Sequence, residues 1–165
     1  MKILYICTHN RCRSILCEAI SNHLGQGKIV ARSAGSQPVG EVHPLSLQYL
    51  QEAGIPIDGL HSQSWDEFEA FAPDIVITVC DSAANESCPV WFGDSVKLHW
   101  GLQDPSKLAA DNGIDDDINS DMIADAFRAT IGEITARVET MLAIDFANES
   151  IATVTDKLIA SGASQ

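Results

Sequence analysis

Apolar positions along the chain follow two rhythms: short continuous runs, and longer stretches at helical spacing. Lys2 to Ile6 is a brief apolar run that predicts a buried strand. From Ser14 to about Leu24, Ile15, Ala19 and Ile20 recur at helical spacing, and Gly25 and Gly27 stop the pattern. Lys28 to Ala34 suits a second strand closed by Gly35. Pro44 and Gly54 bracket a helix holding Leu47, Leu50 and Ala53. Asp74 to Val79 carries a β-branched run that predicts burial on both faces, as in a parallel sheet. Val96 to Trp100 predicts a further strand, and Ile123, Phe127, Ile131, Ile134 and Val138 mark a long helix from about Ser120 to Ala143. Strands alternating with helices argue for an α/β sheet covered on both faces. Beyond Asn148, Ile151, Val154 and Leu158 outline a weakly amphipathic helix ending near Gly162. The expected organisation is one domain over 1–146 and a C-terminal extension over 147–165.

Composition narrows the chemistry. At 165 residues and 45% hydrophobic, the chain has the length of one domain with a sizeable core. A formal net charge of −13 repels phosphodiester backbones and anionic lipid, so no nucleic-acid or membrane partner is expected. A small anionic substrate would need a local positive pocket, which Arg11 and Arg13 can supply. The first apolar run is too short for a leader and is followed by no small-residue cleavage site. No run approaches the roughly 18 apolar residues of a membrane span. Five cysteines, an odd number without a secretion signal, point to cytoplasmic thiols kept for chemistry. The acidic stretch Asp111 to Asp121 resembles a calcium loop but lacks its glycine and terminal glutamate, so no metal site is expected there.

The chemistry concentrates in Cys7-Thr8-His9-Asn10-Arg11-Cys12-Arg13-Ser14. Cysteine becomes a strong nucleophile as its thiolate, and the arginine fork matches a tetrahedral oxyanion such as phosphate or arsenate. Spacing alone is weak evidence, but here a predicted strand precedes Cys7 and a helix begins at Ser14. The loop amides from Thr8 to Ser14 can then converge on an anion over the helix N-terminus. Helix dipole, Arg13 and the Ser14 hydroxyl favour a Cys7 thiolate. Asn10 is placed to brace the loop through bonds to backbone, His9 and Arg11 to line its rim, and Cys12 to fill it. Cys17 is expected in the core. A second group, Cys80 and Cys88, brackets a polar loop after the Asp74–Val79 strand, where open α/β sheets place their sites. Thiol exchange supplies an order of events: Cys7 attacks a bound oxyanion, a second thiol attacks Cys7, and a third carries the disulfide outward.

The Cys7–Ser14 run resembles the phosphate loop of the low-molecular-weight protein tyrosine phosphatases, and Asp104-Pro105 falls where that family keeps its general acid. Cys80, Cys88, Ser33-Ala34-Gly35 and the run His99 to Pro105 resemble the arsenate reductases built on the same fold. The resemblance implies an open three-layer fold: a mainly parallel four-stranded sheet with helices on both faces. It implies reduction of arsenate to arsenite, with Cys7 as nucleophile, Arg13 as oxyanion clamp, Asp104 as proton donor, and Cys80 and Cys88 as successive resolving thiols. Thr8, His9, Asn10, Arg11, Cys12, Arg13 and Ser14 would surround the arsenate or phosphate-like oxyanion. The reductant would be thioredoxin, or a low-molecular-weight thiol with a glutaredoxin-like protein. Some members hold potassium at positions matching Asn10, Glu18 and Ser33, but Ser64 stands here at the place of their aspartate. Neither a cofactor nor a metal is expected. The competing enzyme reading is a phosphatase of phosphate monoesters, against which Ser106 replaces the tyrosine that follows Asp-Pro in the tyrosine phosphatases. A third reading, an oxyanion-binding or redox-sensing module without turnover, leaves Asp104-Pro105 unexplained.

Overall fold

The computed structural model describes residues 1–108 and 117–165. Four strands, β1 (Lys2–Ile6), β2 (Val30–Ala34), β3 (Ile75–Thr78) and β4 (Val96–His99), form one sheet in the order β2-β1-β3-β4. Every pairing is parallel, with Ile3 opposite both Ala31 and Ile75, and Ile77 opposite Leu98. The continuous apolar runs are explained by this placement: Ile3, Leu4, Tyr5, Ile75 and Ile77 have no exposed surface. The helices are α1 (Arg13–Gly25), α2 (Pro44–Glu52), α3 (Asp81–Ala84), α4 (Asp117–Leu142) and α5 (Ile151–Ala160). Apart from α3, which falls in the segment expected as a polar loop, strand and helix bounds fall within a few residues of those expected. Of the acidic stretch, 111–116 lies outside the described residues.

Helix α1 packs on β1, β2 and α4, and α2 packs on α4. Pro44 opens α2, while the His43 ring accepts the Leu45 amide at 3.1 Å as its cap. Tyr49 of α2 stacks on Phe127 of α4 at 5.0 Å between centroids, and Trp100 tilts against Tyr5 at 5.6 Å beneath the sheet's carboxyl end. A 3-10 helix at Trp65–Phe71 had no counterpart in the expected elements. Its capping box pairs the Ser64 side chain with helix amides and the Glu67 carboxylate with the Ser64 amide.

Because β1 connects outward to β2 while β3 connects outward to β4, the order of strand addition reverses between the two parallel central strands. Their carboxyl ends flank a crevice, and Cys7 and Cys80 lie just beyond them. The extension does form a helix: Ser150 caps α5, and Val154 and Leu158 are buried in the core. Its last residues then return to the sheet. The His99 amide donates to Ser164 at 2.7 Å and the Ser164 amide to His99 at 3.0 Å, an antiparallel bridge on the outer edge of β4. Among the described residues no helix is long and apolar enough to cross a membrane.

Candidate active site

The loop after β1 is held from outside. Asn10 adopts the left-handed backbone (φ +46°), which asparagine tolerates better than most side chains. The carbonyls of Thr8 and Arg11 accept amides of Gln37 and His43, both at 2.9 Å, which anchors them away from the pocket. Gly35 presses against the loop's back: a Cβ there would lie 2.5 Å from the Thr8 carbonyl oxygen and 2.9 Å from that of Cys7. Only glycine permits this approach.

Within the loop, the hydrogen bonds have a direction. The fully buried Asn10 donates its amide to Ser14 Oγ at 2.8 Å and to Ser33 Oγ at 3.0 Å, and accepts the Gln63 amide at 2.8 Å. The expected bracing is therefore made to hydroxyls and to one backbone amide from a different segment. Ser33 donates onward to Glu18 Oε2 at 2.5 Å. Ser14, accepting from Asn10, keeps its own hydrogen for Cys7 Sγ, 3.0 Å away. Burial raises the Glu18 pKa above the ordinary glutamate range, against the Ser33 bond and the nearby charges of Arg32 and His61. The positions matched to a potassium site are thus bonded to one another, and Ser64 Oγ turns to Asp66.

Arg13 spans the opening. Its Nη1 donates to the Leu102 carbonyl at 3.0 Å and its Nη2 lies 3.4 Å from Asp104 Oδ2. The other oxygen of Asp104 accepts the Ser106 amide at 3.0 Å and hydroxyl at 2.6 Å. Ser106 thereby orients Asp104, a part that an Asp-Pro-Ser turn could have suggested from the sequence. Cys7, Arg13, Cys80 and Asp104 line one pocket of about 300 Å³, together with Thr8 and Arg11. Arg11 Nε is buried with no hydrogen-bond partner among the described residues, and His9 is exposed at the rim. An adjoining cleft of about 1150 Å³ shares Arg11, Arg13, Cys80 and Asp104.

The five cysteines separate by environment. Cys7 and Cys80 are 5% and 4% exposed, yet both reach the pocket. Burial pushes the Cys12 thiol up to about 12 and raises Cys17 well above its usual range, which suits neutral packing groups. Cys80 caps α3, accepting the Ala83 amide at 3.4 Å, and lies 3.8 Å from Thr8 Oγ1. Cys88 is exposed, unpaired and absent from the pocket lining, so the described conformation does not bring it together with the other four site residues. Two neighbours were missed from the sequence because their partners are far along the chain. Glu86 accepts the Thr8 hydroxyl at 3.0 Å, and the His99 ring bridges Thr78 Oγ1 at 2.9 Å and Asp81 Oδ1 at 3.2 Å.

This arrangement joins two thiols, a cation and a carboxyl group around one anion-sized space. The low molecular weight phosphotyrosine protein phosphatase family model matches residues 2–153. A glutaredoxin arsenate reductase of Synechocystis sp. is 30% identical over 142 residues, covering 86% of this chain and 96% of the relative. A solved arsenate reductase in the phosphate-binding state is 30% identical, with a TM-score of 0.67, over 86% of this chain and 96% of its own. A thioredoxin-dependent arsenate reductase of Corynebacterium glutamicum is 28% identical with a TM-score of 0.56; the match covers 84% of this chain and 61% of that one.

Proposed function

The chain belongs to the low molecular weight phosphotyrosine protein phosphatase family, and from that membership we infer that it is an arsenate reductase. The observation that carries the inference is the shared pocket: Cys80, a thiol without use in phosphate-ester hydrolysis, lines the same small space as Cys7, Arg13 and Asp104. The relatives named as arsenate reductases along nearly their whole length support it.

In this reading arsenate sits over the loop amides with Arg13 across its oxygens. The Cys7 thiolate attacks arsenic, and Asp104 protonates the oxygen that leaves as water. Cys80 then attacks Cys7 Sγ. The sulfur–arsenic bond breaks with its electron pair on arsenic, giving arsenite and a Cys7–Cys80 disulfide. Cys88 attacks Cys80 and returns Cys7 as the thiolate, which requires the loop after Cys80 to rearrange, because Cys88 starts outside the pocket. An external thiol system reduces Cys80–Cys88. The relatives named for glutaredoxin and for thioredoxin support a thiol protein in that role, and a reducing cytoplasm fits five free thiols.

The test compares wild type with Cys7→Ser, Cys80→Ser and Cys88→Ser in arsenate reduction and in aryl phosphate hydrolysis. Cys7→Ser should lose both. Cys80→Ser and Cys88→Ser should lose thioredoxin-supported reduction and keep hydrolysis. Undiminished reduction in Cys88→Ser would remove the third thiol from the relay.

A further inference from the structure

The thiol of Cys80 loses its proton as it attacks Cys7, and its sulfur, 4% exposed, sits at the pocket wall. Among the described residues a direct polar path leads from it to a carboxylate. Cys80 Sγ lies 3.8 Å from Thr8 Oγ1, and Thr8 donates its only hydroxyl hydrogen to Glu86 Oε1 at 3.0 Å. With that hydrogen committed, Thr8 faces Cys80 as an acceptor, so the thiol hydrogen is the one shared between them. Meanwhile the Ala83 amide donates to the same sulfur at 3.4 Å and stays in place to meet a thiolate. The second oxygen of Glu86 is buried without a hydrogen-bond partner among the described residues, an unusual position for a carboxylate with nothing further to do.

We propose that Glu86 is the proton acceptor for the resolving step, acting on Cys80 through the Thr8 hydroxyl. The inference rests on the arsenate reductase reading above. As Cys80 Sγ bonds to Cys7 Sγ, its hydrogen passes to Thr8 Oγ1 and the Thr8 hydrogen passes to Glu86 Oε1. The carboxylate becomes a carboxylic acid, and the hydroxyl ends intact with its hydrogen turned toward the former thiol. The electrons follow the sulfur–sulfur bond: two thiol sulfurs are oxidised, and arsenic takes the pair from the broken sulfur–arsenic bond. Thr8 thus has two uses, one toward the oxyanion through its amide and one toward the second cysteine through its hydroxyl. Glu86 is a positioning residue in the sense that it touches neither arsenic nor sulfur.

The experiment is a single turnover with enzyme in excess over arsenate and no external reductant, so that arsenite release reports the Cys80 step. Wild type should release arsenite at a rate nearly flat through neutral pH. Glu86→Gln, which preserves shape, should be slower by about 10²-fold at pH 7, the lower end of what a positioned base contributes. Its rate should climb with pH as hydroxide from bulk solvent replaces the lost acceptor. Thr8→Val should show the same altered profile and Thr8→Ser should restore the flat one, with the double variant Thr8→Val, Glu86→Gln no slower than either single. A Glu86→Gln rate and profile equal to wild type would overturn the inference. So would a uniform slowing at every pH, which marks Glu86 as a structural tie. If wild type itself releases no arsenite, arsenate reduction fails and the inference fails with it, an outcome distinguishable from the other two.

Discussion

Glu18 shows how one buried side chain ties stability to pH. Desolvation holds its pKa above the ordinary glutamate range, outweighing the Ser33 hydrogen bond and the charges of Arg32 and His61. The folded protein therefore binds a proton more tightly at Glu18 than the unfolded chain does. Its contribution is fully present below the unfolded-state pKa and is lost as pH rises through the raised one. Glu18→Gln should remove that slope, so urea denaturation from pH 4 to 8 should show the variant gaining on wild type as pH rises. Parallel curves would mean that the carboxyl is ionised throughout. Gly35→Ala tests the opposite kind of residue, one defined by an absent side chain. With backbone oxygens 2.5 and 2.9 Å from the added carbon, the loop must shift. The cost should be about 1–3 kcal/mol in chemical denaturation, as for other overpacked sites, together with slower aryl phosphate hydrolysis. Cys7, Asn10, Arg13 and Ser14 were legible in the sequence because they lie within eight residues of one another. Glu18 and Ser33 were singled out only as positions matched to a potassium site and Ser106 only as a replacement for tyrosine, while Glu86 was not assigned; the bonds that Glu18, Ser33 and Glu86 make needed the fold to be seen.

At the scale of elements, the apolar runs predicted all four strands; the central pair β1 and β3 is buried on both faces between two neighbours, whereas the edge strands β2 and β4 each have one neighbour and keep exposed positions. Two boundaries moved by one or two residues. The first helix begins at Arg13, one residue early, with Cys12 at its cap position, and the second strand begins at Val30. The Trp65–Phe71 turn of helix escaped notice because it is too short for a period, although Ser64 and Glu67 carry its signature. The C-terminal helix is the case with most at stake. Its apolar face is narrow in sequence, yet Leu158 has no exposed surface and Val154 only 1%. Leu158→Ala should cost about 2–5 kcal/mol in urea denaturation, the range for a buried leucine losing its packing. A cost near zero would make the helix an appendage.

For the molecule as a whole, strand count and parallel pairing could be anticipated, but the order β2-β1-β3-β4 could not, because nothing local records which strands become neighbours. That order is what brings the ends of β1 and β3, far apart in sequence, to a single crevice. It also leaves β4 at an edge, where unpaired backbone groups invite association. The chain's own end occupies part of that edge through His99 and Ser164, while the His99 ring holds Asp81, the first residue after Cys80. The terminus and the oxidisable loop therefore share one histidine. In the proposed relay, joining Cys80 to Cys88 would shift the segment from Asp81 onward, cost His99 its ring partner and loosen the last residues. Carboxypeptidase should accordingly trim the oxidised protein faster than the reduced one, making the last few residues a built-in gauge of the enzyme's electron load.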